Sequence, residues 1–143
     1  MDYLTRAKYF RTKKRLGQNF LINEEVLHDI IDFADLSKDD IVLEIGPGVG
    51  FLTELLVKHA GMVIAVELDE DDAPNLKIVH QDILKTDIAE LVDGKKIKVV
   101  ANIPYYITSP IIAHLLGEID DLNNKNRACI KDIILMVQEE VAR

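Results

Sequence analysis

Apolar blocks of about five residues, each closed by a glycine or a polar residue, alternate along this chain with stretches of helical spacing. The first such stretch runs through Val26, Leu27, Ile30, Ile31 and Ala34, one buried stripe of a helix. That helix is predicted to begin at Glu24, with Asn23 as its N-cap and two acids in its first turn. Residues 37–40 form a polar turn. Ile41-Val42-Leu43-Glu44-Ile45 then reads as a buried strand, and Gly46-Pro47-Gly48-Val49-Gly50 turns the chain into a helix over residues 51–59. Further strands are predicted at 62–66, 76–79, 97–101 and 133–137. Strands that are apolar throughout and alternate with helices imply a parallel sheet covered on both faces. The expected fold class is therefore α/β, doubly wound. No repeat or low-complexity stretch interrupts it.

Two places depart from that plan. Between Asp69 and Asn75 lie only Glu70, Asp71, Asp72, Ala73 and Pro74. A parallel crossover needs ~10 to 12 residues, normally a helix. Either the second and third strands meet in some other way, or a helical segment is missing; the second alternative is favoured. The sequence also stops soon after the fifth strand, which leaves a sheet edge to be covered, so a fragment is expected.

Charge divides the chain into two parts. Residues 1–17 hold Arg6, Lys8, Arg11, Lys13, Lys14 and Arg15 against Asp2, while the whole chain carries a net charge of −8. A basic arm is thus joined to a strongly acidic body. With Tyr9 and Phe10 interleaved, the arm suits phosphate contact and base stacking; a solvated tail and a transit peptide are the alternatives. Residues 1–22 are taken as this arm and its continuation, and residues 23–143 as a partial domain. No apolar run approaches the ~20 residues of a membrane span, and the N-terminus lacks a secretory pattern. Cys129 stands alone, and His28, His59, His80 and His114 have no ligand spacing, so no metal is expected. A cytoplasmic protein is the expectation.

The candidate chemistry lies at the ends of the strands. Glycines at 46, 48 and 50 let the backbone bend sharply and approach a ligand. The dinucleotide fingerprint would place a glycine at position 51, where Phe51 stands, so a nucleoside with an amino-acid moiety is favoured over a pyrophosphate. Glu67, ending the second strand, is placed to accept hydrogen bonds from ribose hydroxyls. Asp82, after the third strand, could accept from an adenine amino group or simply cap a helix. Asn102-Ile103-Pro104-Tyr105 follows the fourth strand. An exocyclic adenine amine is a poor nucleophile because its lone pair is delocalised into the ring. The Asn102 side-chain oxygen and the Pro104 carbonyl could hold its N–H groups and favour the charge that develops as it attacks a methyl group. Tyr105 offers a face for the target base.

These segments carry a resemblance. Lys14-Arg15-Leu16-Gly17-Gln18-Asn19-Phe20-Leu21, Val42-Leu43-Glu44-Ile45-Gly46-Pro47-Gly48-Val49-Gly50-Phe51-Leu52-Thr53 and Val66-Glu67-Leu68-Asp69 are similar to the ribosomal RNA adenine-N6 dimethyltransferases of the small-subunit (KsgA) type. So are residues 99–112, around Asn102-Ile103-Pro104-Tyr105, and residues 135–142. The resemblance implies a Rossmann-like methyltransferase core that uses S-adenosyl-L-methionine. Asn19 and Leu21 would then line the cofactor pocket, Gly46 and Gly48 its amino-acid end, Glu67 the ribose and Asp82 the adenine. Asn102 would serve both cofactor and target amine, with Pro104 and Tyr105 completing the target site. The implied partner is small-subunit ribosomal RNA in a pre-30S-type particle, met by a monomer. The chain departs from the family in lacking the helix after residues 67–69, the closing strands and the helical C-terminal domain.

Three other readings compete. A large-subunit dimethyltransferase of the macrolide-resistance type shares the Asn-x-Pro-Tyr turn, but Pro47 and Ser109-Pro110-Ile111-Ile112 look more like the small-subunit type. A non-catalytic RNA-binding or assembly factor on the same scaffold is opposed by the intact 102–105 turn. Phe51 speaks against a nicotinamide oxidoreductase.

Overall fold

The computed structural model describes residues 24–47, 50–67, 75–102, 107–118, 120–121 and 123–136. In chain order these form α1 (Glu24–Ala34), β1 (Ile41–Ile45), α2 (Phe51–His59), β2 (Met62–Glu67), β3 (Leu76–His80), a 3-10 turn (Ile83–Lys85), α3 (Ile88–Leu91), β4 (Ile97–Asn102), α4 (Thr108–Leu116), α5 (Lys125–Cys129) and β5 (Ile130–Met136). The strands make one sheet in the order β3-β2-β1-β4-β5, and every neighbouring pair is parallel. The predicted α/β class and its parallel sheet are both present.

Alternation along the strands feeds two cores. Leu43, Ile64 and Val99 face one side, where α3, α4 and the buried Cys129 cover them. Val42, Val63 and Val100 face the other, against Leu27, Ile30 and Ile31 of α1 and Phe51, Leu52, Leu55 and Leu56 of α2. The stripe expected on α1 is therefore the one buried. Phe33, off that stripe, is 82% exposed.

Two lysines hold helix ends at the edge where the strands begin. Lys98, a charge inside the otherwise apolar β4, donates from Nζ to the carbonyls of Ala34 (2.8 Å) and Asp35 (2.9 Å), satisfying the C-terminus of α1. It also lies 3.7 Å from Asp40. Lys38 does the same for α2 through the carbonyls of Lys58 and Ala60. Asp40 accepts from the Ser37 backbone N–H at 2.7 Å. That bond, aided by Lys98 and Lys131 and opposed by burial, holds the Asp40 carboxyl below its ordinary value.

The strands depart from expectation at their ends. β2, β3 and β4 each run one residue past their apolar block, so Glu67 and Asn102 are themselves the last strand residues. β5 begins at Ile130 rather than 133. Exposed Lys131 and Asp132 break its apolar pattern; Asp132 pairs with Lys98, while Lys131 sits at a register shift between that pair and Ile97↔Ile130. β2 and β3 pair in parallel from Val63↔Leu76 to Glu67↔His80 with only residues 68–75 between them. Of these, 68–74 lie outside the described residues.

Candidate active site

The strand order reverses between β1 and β4. The chain moves outward from β1 to β2 and β3, then returns to place β4 on the other side of β1. The carboxyl ends of strands flanking such a switch point form a crevice that ligands occupy in open α/β sheets. Here those ends are Gly46, directly after β1, and Asn102, the last residue of β4.

Gly46 has φ +68°, a left-handed conformation that glycine adopts without penalty. Its N–H donates to the Val66 carbonyl at 3.2 Å, tying the start of the bend to the end of β2. A Cβ built on it would lie 3.4 Å from the backbone oxygen of Asn102. The start of the bend and the end of β4 are therefore close neighbours, separated by about the space of one methyl group. Gly50, with φ +82°, caps the start of α2 and donates to Pro47 O at 3.0 Å. No atom lies within 4 Å of a Cβ at Gly50, so its backbone angle rather than crowding calls for glycine there.

The remaining strand ends are in register with these two. Ile45 pairs with Val66 and with Ala101, and Glu67 pairs with His80. The residues after β1, β2, β3 and β4 thus share one edge of the sheet, which brings Gly46, Glu67, Asp82 and Asn102 to the same side. Asp82 is exposed, and its Oδ1 accepts from Leu84 N at 3.0 Å, so the helix-cap alternative has a definite partner. Its Oδ2 lies outside that bond. Asn102 is half-buried. Asn19, Leu21, Gly48, Pro104 and Tyr105 lie outside the described residues, as does Asn23, the expected cap of α1.

Beneath the bend, the acid that opens the Glu44-x-Gly46-x-Gly48-x-Gly50 pattern has a partner, Thr53, that the spacing did not indicate. Glu44 is 1% exposed, and its Oε2 accepts from the Thr53 hydroxyl at 2.5 Å. The available signal was an acid on the same strand face as the buried Val42. Among the described residues no group of three or more metal-binding side chains occurs, and no helix is long and apolar enough to cross a membrane. An open cleft of about 480 Å³ between the 3-10 turn, α4 and α5 is lined by Thr86, His114 and Asn124 among others, and by none of the predicted site residues.

The family model for ribosomal RNA adenine dimethylase matches residues 9–143. The chain belongs to that family. Its relatives include the ribosomal RNA small subunit methyltransferase A of Clostridium botulinum, 47% identical over 144 residues, and that of Alkaliphilus metalliredigens, 40% identical over 147. Each match takes in 93% of this chain, and 50% and 48% of the respective relative. The chain thus spans about half the length of the curated relatives it matches. The second match extends over 147 positions while using only part of 143 residues, so that relative carries residues inside the match which this chain lacks.

Solved structures agree on the fold. The 23S rRNA methyltransferase ErmE superposes with a TM-score of 0.71 at 30% identity, covering 87% of this chain and 50% of that one. A dimethyladenosine transferase from Plasmodium falciparum gives 0.65 at 32%, covering 84% and 43%. The Rossmann-like core expected from the sequence is the fold these neighbours share.

Proposed function

We propose that this chain is the cofactor-binding and catalytic half of an S-adenosylmethionine-dependent enzyme that dimethylates the N6 amines of two adjacent adenines in small-subunit ribosomal RNA. The observation that carries this reading is the closeness of Gly46 to the Asn102 carbonyl at the β1/β4 switch point, where a methyl group on Gly46 would just touch that oxygen. On this reading the proposed cofactor and target sites lie side by side.

The residues present suit the cofactor. Glycines at 46 and 50 clear the backbone for its amino-acid end, with Gly48 between them in sequence. Glu67 at the end of β2 would accept from the ribose hydroxyls, and Asp82 Oδ2 from the adenine amine. Asn19 and Leu21 would complete the pocket wall. When bound, S-adenosylmethionine supplies an electrophilic methyl group on a sulfonium. The Asn102 side-chain oxygen and the Pro104 carbonyl would accept the two N–H bonds of the target amine, steering its lone pair toward that methyl and favouring the positive charge that grows on nitrogen. Tyr105 would hold the extruded base by stacking. The methylated amine is acidic enough to release its proton to water, so no strong base is required.

The small-subunit assignment draws on the names of the two relatives and on Pro47 and the 109–112 run. The arm at residues 1–22 would supply the positive charge for RNA that the acidic body at 23–143 lacks. The proposed setting is cytoplasmic, on a pre-30S-type particle, with the protein acting as a monomer. The test is methyl incorporation from labelled cofactor into isolated ribosomal subunits by a full-length version. Label in undermethylated small subunits is expected; label in the large subunit alone overturns the assignment.

A further inference from the structure

The turn that carries Asp82 is bonded more fully than a helix cap requires. Asp82 Oδ1 accepts from Leu84 N at 3.0 Å, the bond that caps the 3-10 turn. The Asp82 carbonyl accepts twice, from Lys85 N and from the Thr86 hydroxyl, both at 2.9 Å. Together these bonds fix the peptide plane after Asp82 and one of its carboxylate oxygens. Its Oδ2 is thereby given a set direction, although the residue itself is exposed.

Thr86 is the buried end of this arrangement, at 2% exposure. A buried hydroxyl is costly unless it is bonded; this one serves the Asp82 carbonyl and lies 3.2 Å from Gln81 Oε1. The Thr86 carbonyl accepts in turn from His114 Nε2 of α4 at 2.7 Å. A carbonyl can only accept, so His114 carries a proton on Nε2. Asn126 of α5 closes the far end. Its Nδ2 donates to the His114 carbonyl at 3.1 Å, and its Oδ1 accepts from Ala89 N at 3.3 Å. Capping the turn uses only the first of these bonds. The others hold an exposed acid still, which matters where a carboxylate must meet a ligand group at one angle.

We propose that Thr86, anchored by His114, positions Asp82 so that its Oδ2 accepts from a purine with a 6-amino group and turns away one with a 6-oxo group. Adenine presents an N–H at that place. Hypoxanthine presents a carbonyl oxygen there, facing the carboxylate with no proton between them. Its nearest donor, N1–H, lies one ring position away, within reach of a carboxylate that can swing and out of reach of one that is held. Thr86 and His114 act as positioning residues, setting the base preference of the cofactor site through Asp82 and touching no ligand atom themselves. This inference rests on the cofactor reading above and deepens it.

Calorimetric titration of the full chain with S-adenosylhomocysteine and with S-inosylhomocysteine, its 6-oxo analogue, tests it. The proteins compared are the unmodified chain, Thr86→Val, Thr86→Ser, His114→Leu and His114→Gln. The unmodified chain should prefer the adenine compound by roughly tenfold or more. Thr86→Val and His114→Leu should lower that preference roughly three- to tenfold, whereas Thr86→Ser and His114→Gln keep a donor and should keep the preference. The His114 pair decides the matter if Thr86→Val does not fold. An unchanged preference in the folded variants, or equal losses for the two compounds, overturns the positioning role and leaves the cofactor reading standing. Equal binding of both compounds by the unmodified chain overturns the base role of Asp82 and this inference with it. No binding of either compound overturns the cofactor reading itself.

Discussion

The backbone oxygen of Asn102 lies 3.4 Å from where a methyl group on Gly46 would be. That separation joins the last residue of β4 to the first residue after β1, two points 56 positions apart in sequence. It also means that Gly46 and Asn102, one residue from each candidate motif, stand at the same crevice.

Gly46→Ala should therefore damage both fold and binding. Alanine at φ +68° costs about 1–2 kcal/mol in backbone strain, and its methyl would press on the Asn102 carbonyl. A lower melting temperature together with weaker S-adenosylmethionine binding is expected. Gly50→Ala meets no neighbour and should show the stability loss with a smaller loss of affinity.

Glu67→Ala should weaken cofactor binding by roughly 1–3 kcal/mol through lost ribose hydrogen bonds. Its backbone pairing with His80 does not depend on the side chain, so the melting temperature should change little. An unchanged affinity would remove the ribose role.

Asn102→Ala, made in a full-length version, should abolish methyl transfer while leaving the sheet intact, because β4 pairs with β1 and β5 through its backbone. Single-turnover assays with labelled cofactor would read the loss. Near-normal turnover would take Asn102 out of the mechanism.

Away from the site, Lys98→Met should destabilise the chain by about 1–3 kcal/mol, since the carbonyls of Ala34 and Asp35 lose their shared donor. Its neighbour Asp40 gives a pH signature. Because the folded carboxyl titrates below its ordinary value of 3.8, its contribution is present at neutral pH and is lost as pH falls through that lowered value. The stability gap between the unmodified chain and Asp40→Asn should shrink in acid, and a gap constant from pH 7 to pH 3 would contradict the linkage.

Much of this arrangement was legible in the chain because it depends on local signals. The apolar blocks marked β1 to β4 to within a residue, and a polar residue at the end of each block marked the shared edge where Glu67 and Asn102 stand. What escaped depends on tertiary context. The start of β5 was hidden because Lys131, at a register shift, and Asp132, paired with Lys98, both keep their side chains exposed. The use of Lys98 inside β4 shows only once the end of α1 lies beside it. The five-residue α5 rests on Asn124, whose side chain accepts from Arg127 N at 3.1 Å, too brief a signal to read from spacing. The parallel pairing of β2 with β3 was expected, and the short stretch between them, where a missing segment was favoured, agrees with a relative that carries residues inside its match which this chain lacks.

A crystal structure of this chain with S-adenosylhomocysteine tests the central claim most directly. The ligand should lie along the carboxyl ends of the strands, its amino-acid moiety at Gly46, its ribose at Glu67 and its sulfur facing Asn102. Density instead in the cleft beside Thr86 and His114, with the β1/β4 crevice vacant, would contradict the account.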